Sequence, residues 1–524
     1  MIVDGRSVPA GSELRADLCI IGAGAAGITL ALALAERNIS IIVLESGGLE
    51  PGGASQDLAG GDSIGERYVP LESARLRCLG GSTMHWGGWC RPLDAIDFER
   101  RAWVPHSGWP ITRAALDAYY PQAQQICQLG DFAYDPADWL LPDGSVLPLG
   151  GRVLTRLIQF SPPTRFGVRY RESLAKARAT TVHLNSTVVR LQAAANARSL
   201  DRVHVRTLAG NRFEVRARRY VLAAGGIDNP RLLLASNQVV PAGIGNDHDL
   251  VGRFFADHIQ LDTAALRPAP QAENLDLYQP SSGETIRRTR RAGGRSAGVM
   301  GYLALDPLVQ ESRGTVNYSA NLVQTTWSDY VLQQDAPGSS PRATKWDIGE
   351  SLANLWHELD TAVETAVGLG GKLGLMFKIV TTQEQAPNPL SRVTLSTERD
   401  AVGMPRPVLD WRLTDLDRHS ITVAVDELTR AFGSAHRGTL YAPLDLARPG
   451  WPADIPIGRH HCGATRMSAE PSQGVVDAEG RVHGMENLYV AGSSVFPTNG
   501  NGNPTLTIVA LALRLADHLK EQLR

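Results

Sequence analysis

Apolar and polar positions follow different rhythms along this chain, and the places where the rhythm changes divide it. An unbroken apolar run, Leu18–Ile21, meets Gly22, Gly24 and Gly27 and passes into an Ala/Leu-rich stretch to about Arg37. A second apolar run, Ile39–Leu44, ends at Glu45. Short continuous apolar runs bounded by turn residues predict buried strands, and the longer stretch between them predicts a helix. Strand, glycine turn, helix, strand and acid, in that order, form a dinucleotide-binding unit. Gly22 permits the tight turn, Gly24 lets the backbone approach a pyrophosphate, Gly27 allows the helix to pack closely on the strand, and Glu45 can accept from a ribose hydroxyl. The phosphates would rest on the helix N-terminus, where unpaired N–H groups and the dipole favour an anion.

Further along, Thr181–Leu191 and Val203–Val215 alternate like strands. Tyr220–Leu234 repeats the order of buried strand, glycine turn and helix around Ala223-Ala-Gly-Gly226, which predicts a second approach of backbone to the cofactor. From about Leu261 to Ala447 the text carries more Gln, Thr and Arg in short alternating segments such as Arg392–Leu395 and Val408–Leu413. It predicts a largely antiparallel sheet with helices around Asp347–Val367 and Asp415–Phe432. The arginine run Arg287–Arg295 predicts a solvated loop, because flanking glycines and threonines give it no rigid frame. Near the end, the strand-like Asn487–Gly492 precedes Gly500-Asn-Gly-Asn-Pro-Thr-Leu-Thr507, which opens an apolar helix to about Leu519 with Pro504 at its first position.

At 524 residues the chain has material for at least two domains. Its 52 Lys+Arg against 54 Asp+Glu give no pull towards nucleic acid or acidic lipid. Cys19, Cys78, Cys90, Cys127 and Cys462 show no paired metal or redox spacing, and their odd number suits a reducing compartment. The expected location is therefore cytoplasmic and no metal is expected, while export on a partner's signal is compatible with the same text. Leu18–Ala35 is uncharged and long enough to resemble a membrane span or a signal peptide. Three glycines placed for a phosphate turn, and Glu36-Arg37-Asn38 leading straight into another strand, argue against both, so neither a span nor a signal is expected.

Taken in order, Gly22-Ala-Gly-Ala-Ala-Gly27, Gly80-Gly-Ser-Thr-Met-His-Trp86, Ala223-Ala-Gly-Gly226, Gly252-Arg-Phe-Phe-Ala-Asp-His258 and His460-His-Cys-Gly-Ala-Thr-Arg-Met467 resemble the glucose–methanol–choline (GMC) oxidoreductases. Within them the chain is most similar to the branch of pyranose oxidases and sugar or glucoside dehydrogenases. The resemblance implies FAD and an α/β fold with a discontinuous Rossmann-like FAD-binding domain, here 1–90, 181–260 and 450–524. It also implies a substrate domain built on an antiparallel β-sheet flanked by helices, here 91–180 and 261–449 with lid and insertion segments. Besides Gly22, Gly24, Gly27 and Glu45, it places Ala25, Ala26, Gly81, Ser82, His85, Trp86, Val189, Ala224, Gly225, Gly492, Asn503, Pro504 and Thr505 at the cofactor.

Carried over from the family, the active-site histidine counted back from Gly463 and Met467 is His460 rather than His461. The second polar partner, at a near-fixed distance downstream, is Asn503, and Asn is the choice of the sugar-oxidising branch. Ala464 stands where the family usually has Thr. A neutral imidazole can take a hydroxyl proton at neutral pH, and an amide can hold the alcohol oxygen while hydride passes to flavin N5. The bland alternatives are a hydrogen-bonded core histidine for His460 and a helix N-cap for Asn503. In choline-type and pyranose-type members a histidine at the place of His85 is joined covalently to the flavin; in other members this residue forms no bond. Gly87 stands where pyranose oxidases tend to have Thr, which weakens the case for oxygen as acceptor.

The expected activity is oxidation of a secondary ring hydroxyl of a sugar or glycoside to a ketone, with reoxidation by O2 or a quinone or protein acceptor. Trp86 and Trp89 would suit stacking on a sugar face. Alternatives are a GMC alcohol or sterol oxidase, the flavin subunit of a membrane-associated sugar dehydrogenase complex, or a non-catalytic nucleotide-binding module.

Overall fold

The computed structural model describes residues 1–269, 275–326, 375–442, 451–452 and 455–524. Leu18–Ile21 and Ile41–Leu44 lie almost wholly out of solvent. Strands buried on both faces suit a parallel sheet covered by helices, and these two pair in parallel at the centre of an eight-stranded sheet. Its order is Ile2–Asp4, Thr180–Leu184, Ile41–Leu44, Glu13–Ile21, Arg212–Leu222, Leu200–Arg206 and Thr187–Ala193, with Leu488–Val490 also parallel to Arg212–Leu222. The last two strands of the main order are antiparallel.

The helix Ala25–Leu34 follows the glycine turn and is buried nearly all round. It packs against the C-terminal helix Thr505–Gln522, so the first and last helices of the molecule share one core. Parallel pairing of Arg212–Leu222 with Glu13–Ile21 then brings the Ala223–Gly226 turn beside the first glycine turn.

A second eight-stranded sheet is antiparallel throughout. It runs Gly438–Tyr441, Ile259–Pro268, Leu375–Gln383, Tyr318–Thr326, Ala297–Leu305, Val153–Phe160 and Trp89–Cys90, with Arg287–Arg288 paired to Ala297–Leu305. The helix Asp415–Ser434 starts with a capping box between Thr414 and Asp417. Its Ala424, Leu428, Ala431 and Phe432 enter one apolar cluster with Leu266, Tyr318, Leu322 and Ile379 of this sheet. The fold thus combines an α/β layer with an antiparallel sheet flanked by a helix, as read from the sequence.

Four local readings change. Thr181–Leu191 is two strands, Thr180–Leu184 next to one edge of the first sheet and Thr187–Ala193 at the other. Asn185 breaks the run with a left-handed φ of 55°, a conformation Asn tolerates and alternation does not reveal. Val203–Val215 breaks likewise into Leu200–Arg206 and Arg212–Leu222, around Gly210 at φ 96°. Arg392–Arg399 and Pro405–Trp411 leave the large antiparallel sheet and form a small one with Asp62–Gly65. The arginine run is not a purely solvated loop: pairing with Ala297–Leu305 turns Arg288 inward, and Arg290 meets Asp131 at 3.1 Å. The helix expected around Asp347–Val367 lies outside the described residues.

Candidate active site and cofactor cavity

Where the two glycine turns meet the C-terminal helix, the fold leaves a cavity of about 410 Å³. Its wall includes Gly22, Gly24, Ala25, Ala26, Glu45, Gly81, Ser82, His85, Trp86, Ala224, Gly225, Gly492, Asn503, Pro504 and Thr505, together with His460. The expected cofactor residues are therefore brought together from distant stretches of chain, with two exceptions. Gly27 lies behind the wall, where a Cβ would fall 2.0 Å from the Gly22 carbonyl oxygen, so its part is packing. Val189 lines a separate groove beside His204 and Phe213, and Val188 lines the cavity instead. Successive residues of a strand face opposite ways, so a register error of one residue changes the face.

The three glycines are needed for different reasons. Gly22 has φ 105°, and a Cβ there would lie 2.5 Å from the Ala223 carbonyl oxygen. A Cβ on Gly24 would meet nothing within 4 Å, so Gly24 leaves room for a ligand rather than for protein. The helix Ala25–Leu34 begins without a side-chain cap, and its first N–H groups are available to an anion. Glu45 is buried, and its carboxylate accepts from the Ala23 and Gly47 N–H groups, each at 2.9 Å. Burial raises its pKa, against the pull of those two donors and of Arg77. The oxygens retain lone pairs for a ribose hydroxyl.

The wall also contains donors with nothing to donate to. Arg75 Nη2 and Arg77 Nε are buried without a hydrogen-bond partner, and both residues line the cavity. Unsatisfied buried donors are unfavourable by about 1–3 kcal/mol each, so a ligand rich in acceptors suits this wall. A dinucleotide with its pyrophosphate has that chemistry, and with the space at Gly24 the residues fit FAD.

His460 and Asn503 come together as expected, with His460 Nε2 and Asn503 Nδ2 3.3 Å apart. The helix that follows has Pro504 at its cap position, and the Asn503 amide turns to His460. A residue the sequence reading left without a role decides the protonation of the pair. His258 Nε2 lies 2.8 Å from the Gly500 carbonyl oxygen, which can only accept, so that nitrogen carries a proton. In neutral His258 the lone pair is then on Nδ1, 2.7 Å from His460 Nδ1, and His460 must donate there. The remaining nitrogen, His460 Nε2, therefore holds a lone pair and faces Asn503. Asp257 anchors this arrangement: its Oδ1 accepts from the backbone N–H groups of His460 (2.8 Å) and His258 (2.7 Å), and its Oδ2 from the Tyr68 hydroxyl (2.5 Å). Asp257 and His258 close a segment already quoted in the family pattern, but nothing local showed that they reach His460.

Burial, followed by the neighbouring His258 and His461, holds the His460 imidazole well below its ordinary pKa of 6.5. A base must be unprotonated to act, so a lowered pKa keeps it active into acid. The anaerobic rate of flavin reduction should stay level from alkaline pH down to 6.5 and fall only below it. A pH profile with its acid limb centred at or above 6.5 would remove His460 as the titrating base.

His461 faces the other way, packed against Tyr68 and Phe255 with ring centroids at 6.1 and 5.6 Å. Burial and the charge of Arg75 push its imidazole down to about 3, so it stays neutral. Gly226 is the reason this stretch can approach the second turn, since a Cβ there would fall 2.5 Å from His461 Cβ. His85 is exposed on the cavity wall. Its imidazole is likewise held below its ordinary pKa by partial burial and then by the charges of Arg459 and Arg165. Trp86 donates to the Thr164 carbonyl oxygen at 2.9 Å and Trp89 to Glu284 at 3.2 Å, which fixes both indoles on the wall. Among the described residues no group of His, Cys, Asp and Glu could hold a metal ion, and no helix is long and apolar enough to cross a membrane.

Fold and cavity together define the class, a dinucleotide-dependent oxidoreductase with His460 and Asn503 side by side on the cavity wall. Residues 17–244 match the family described as FAD dependent oxidoreductase, and residues 387–512 that described as GMC oxidoreductase. The chain carries a GMC oxidoreductase C-terminal domain and an FAD oxidoreductase domain, and it is an FAD-dependent oxidoreductase. It is 28% identical to 6'''-hydroxyparomomycin C oxidase of Streptomyces lividus, across 96% of this chain and 92% of that one. It is 27% identical to C-glycoside 3-oxidase of Microbacterium trichothecenolyticum, across 60% of this chain and 49% of that one. A formate oxidase structure from Aspergillus oryzae shares the fold with a TM-score of 0.58 at 18% identity, over 98% of this chain and 99% of that one.

Proposed function

We propose that this enzyme oxidises a secondary ring hydroxyl of a sugar or glycoside to a ketone. The observation that carries the reading is the lone pair of His460 Nε2, facing the Asn503 amide at 3.3 Å on the wall of the cofactor cavity. An alcohol placed between them donates its proton to His460 and accepts from Asn503. Bound FAD supplies the hydride acceptor. Burial favours the neutral base before reaction, and His258 Nδ1 accepts from His460 Nδ1–H throughout, so the ring is held in one orientation. The names of relatives that act on aminoglycosides and C-glycosides support a sugar-bearing substrate. Trp86 and Trp89, separated by two glycines on the wall, offer apolar faces to a pyranose ring.

The setting we propose is cytoplasmic, supported by five cysteines that are all buried and unpaired. Oxygen or a quinone or protein acceptor completes the cycle. An anaerobic panel of free sugars, glycosides and simple alcohols, followed by admission of oxygen or a quinone, tests both halves. Bleaching of the flavin by a glycoside is the expected result, and the compound that restores the colour identifies the acceptor. Bleaching by simple alcohols alone would replace this reading with that of an alcohol oxidase.

A further inference from the structure

Three arginines line the cavity, and two of them are paired with one acid. Arg75 Nε and Arg77 Nη2 both donate to Asp228, at 2.9 and 2.6 Å. Arg165, next to His85, spends its guanidinium on the Thr83 and Trp86 carbonyl oxygens. On the acidic side, Glu45 is held by two backbone N–H groups, and Asp257 by the Tyr68 hydroxyl and the backbone of His258 and His460. Arg459 differs from all of these. It lines the cavity and is exposed, and its guanidinium has no hydrogen bond or ion pair among the described residues.

Its position is built rather than incidental. Arg459 has a left-handed φ of 58°, rare for a residue that is not Gly or Asn. Its backbone N–H, like that of His460, bonds to Asp257. Gly458 before it has no space for a side chain, since a Cβ would fall 2.5 Å from His460 Nδ1. The turn therefore carries the base and a free cation on consecutive residues. The charge reaches into the cavity, for Arg459 contributes to lowering the pKa of both His85 and His461.

We propose that Arg459 selects the substrate by charge, binding a carboxylate on the sugar, as in a uronic acid glycoside, and disfavouring protonated amino sugars. This rests on the sugar-oxidising reading above. A guanidinium pairs with a carboxylate through two parallel hydrogen bonds, which orient the ring as well as attract it. The same charge repels an ammonium group brought to the same place.

Three methyl glucopyranosides that differ only in the exocyclic carbon, as hydroxymethyl, carboxylate or aminomethyl, test the idea. Anaerobic titration of the holoenzyme, following perturbation of the flavin spectrum as well as its bleaching, measures binding of each. The carboxylate should bind about tenfold to a hundredfold more tightly than the hydroxymethyl form, and the amine least. Arg459→Asn removes the charge while keeping a residue that tolerates the left-handed backbone, and should bring the three affinities to within about twofold to threefold of each other. Arg459→Lys should restore the ranking in weaker form. Equal binding of the three by the wild type would overturn the proposal. So would a ranking unchanged in Arg459→Asn, or a variant in which only the flavin midpoint potential moves, since the charge would then serve the cofactor. Failure of all three compounds to bleach the flavin would count against sugar oxidation itself, while spectral perturbation would still rank them by charge.

Discussion

His460→Ala should retain its flavin and lose at least about a hundredfold in the anaerobic rate of flavin reduction, equivalent to roughly 2.7 kcal/mol in the barrier. The tautomer argument explains why no neighbour replaces it. His258 already donates its N–H to the Gly500 carbonyl oxygen and offers only a lone pair towards the His460 position. That lone pair lies on the far side of the His460 ring from Asn503, and so away from the alcohol. His461 is turned into the Tyr68 and Phe255 rings and cannot serve either. The variant leaves His258 Nδ1 without a donor, so some loss of stability accompanies the loss of rate, about 1–3 kcal/mol. Measuring the first-order reduction rate of flavin-loaded protein separates the two effects, because unfolded or empty molecules do not contribute to it. An unchanged rate would remove His460 from the chemistry.

Substitution at two neighbouring glycines should fail in opposite ways. At Gly27 even one methyl group would sit 2.0 Å from the Gly22 carbonyl oxygen, far inside any tolerable contact. The helix Ala25–Leu34 must then lift from the strand that ends at Ile21, in a core where overpacking is unfavourable by about 1–3 kcal/mol or more. Gly27→Ala is expected to lower the thermal midpoint of the apoprotein by several degrees, at roughly 2–4 °C per kcal/mol or less in a chain of this size. Gly24 has φ −83°, open to any residue, and free space beyond its Cβ. Gly24→Val should keep the midpoint and circular dichroism of the apoprotein but purify nearly colourless, because the side chain fills the space that backbone left for the pyrophosphate. A yellow Gly24→Val protein would show that the cofactor does not approach this turn.

What could be read in advance follows from how far each constraint reaches along the chain. The glycine turn was legible because its requirements are local: φ 105° at Gly22 and the contact between Gly27 and Gly22 join residues within five positions. Glu45 was legible for a related reason, as the end of the next strand in the same unit. The pairing of His460 with Asn503 could be expected only through the family pattern, because a separation of 43 positions carries no rule of its own. The motif that ends at His258 carries no local sign of its task, since its partner His460 lies 202 residues away. Val189 was placed one residue off the cavity wall for want of a register. The strand read over Thr181–Leu191 hid a break at Asn185, because alternation survives a turn that keeps the same faces buried.

The amino-acid order therefore settled the nucleotide turn, the acid that follows it and the chemical types available for proton transfer, all consequences of backbone sterics and side-chain chemistry within short stretches. Packing of the first helix against the last settled where the two ends of the chain meet. It also determined which nitrogen of His460 is free, through a carbonyl at Gly500 and an imidazole at His258, and set Arg459 at the cavity wall with no counter-ion among the described residues. Those outcomes depend on distances between groups far apart in sequence, and such distances exist only once the chain has folded.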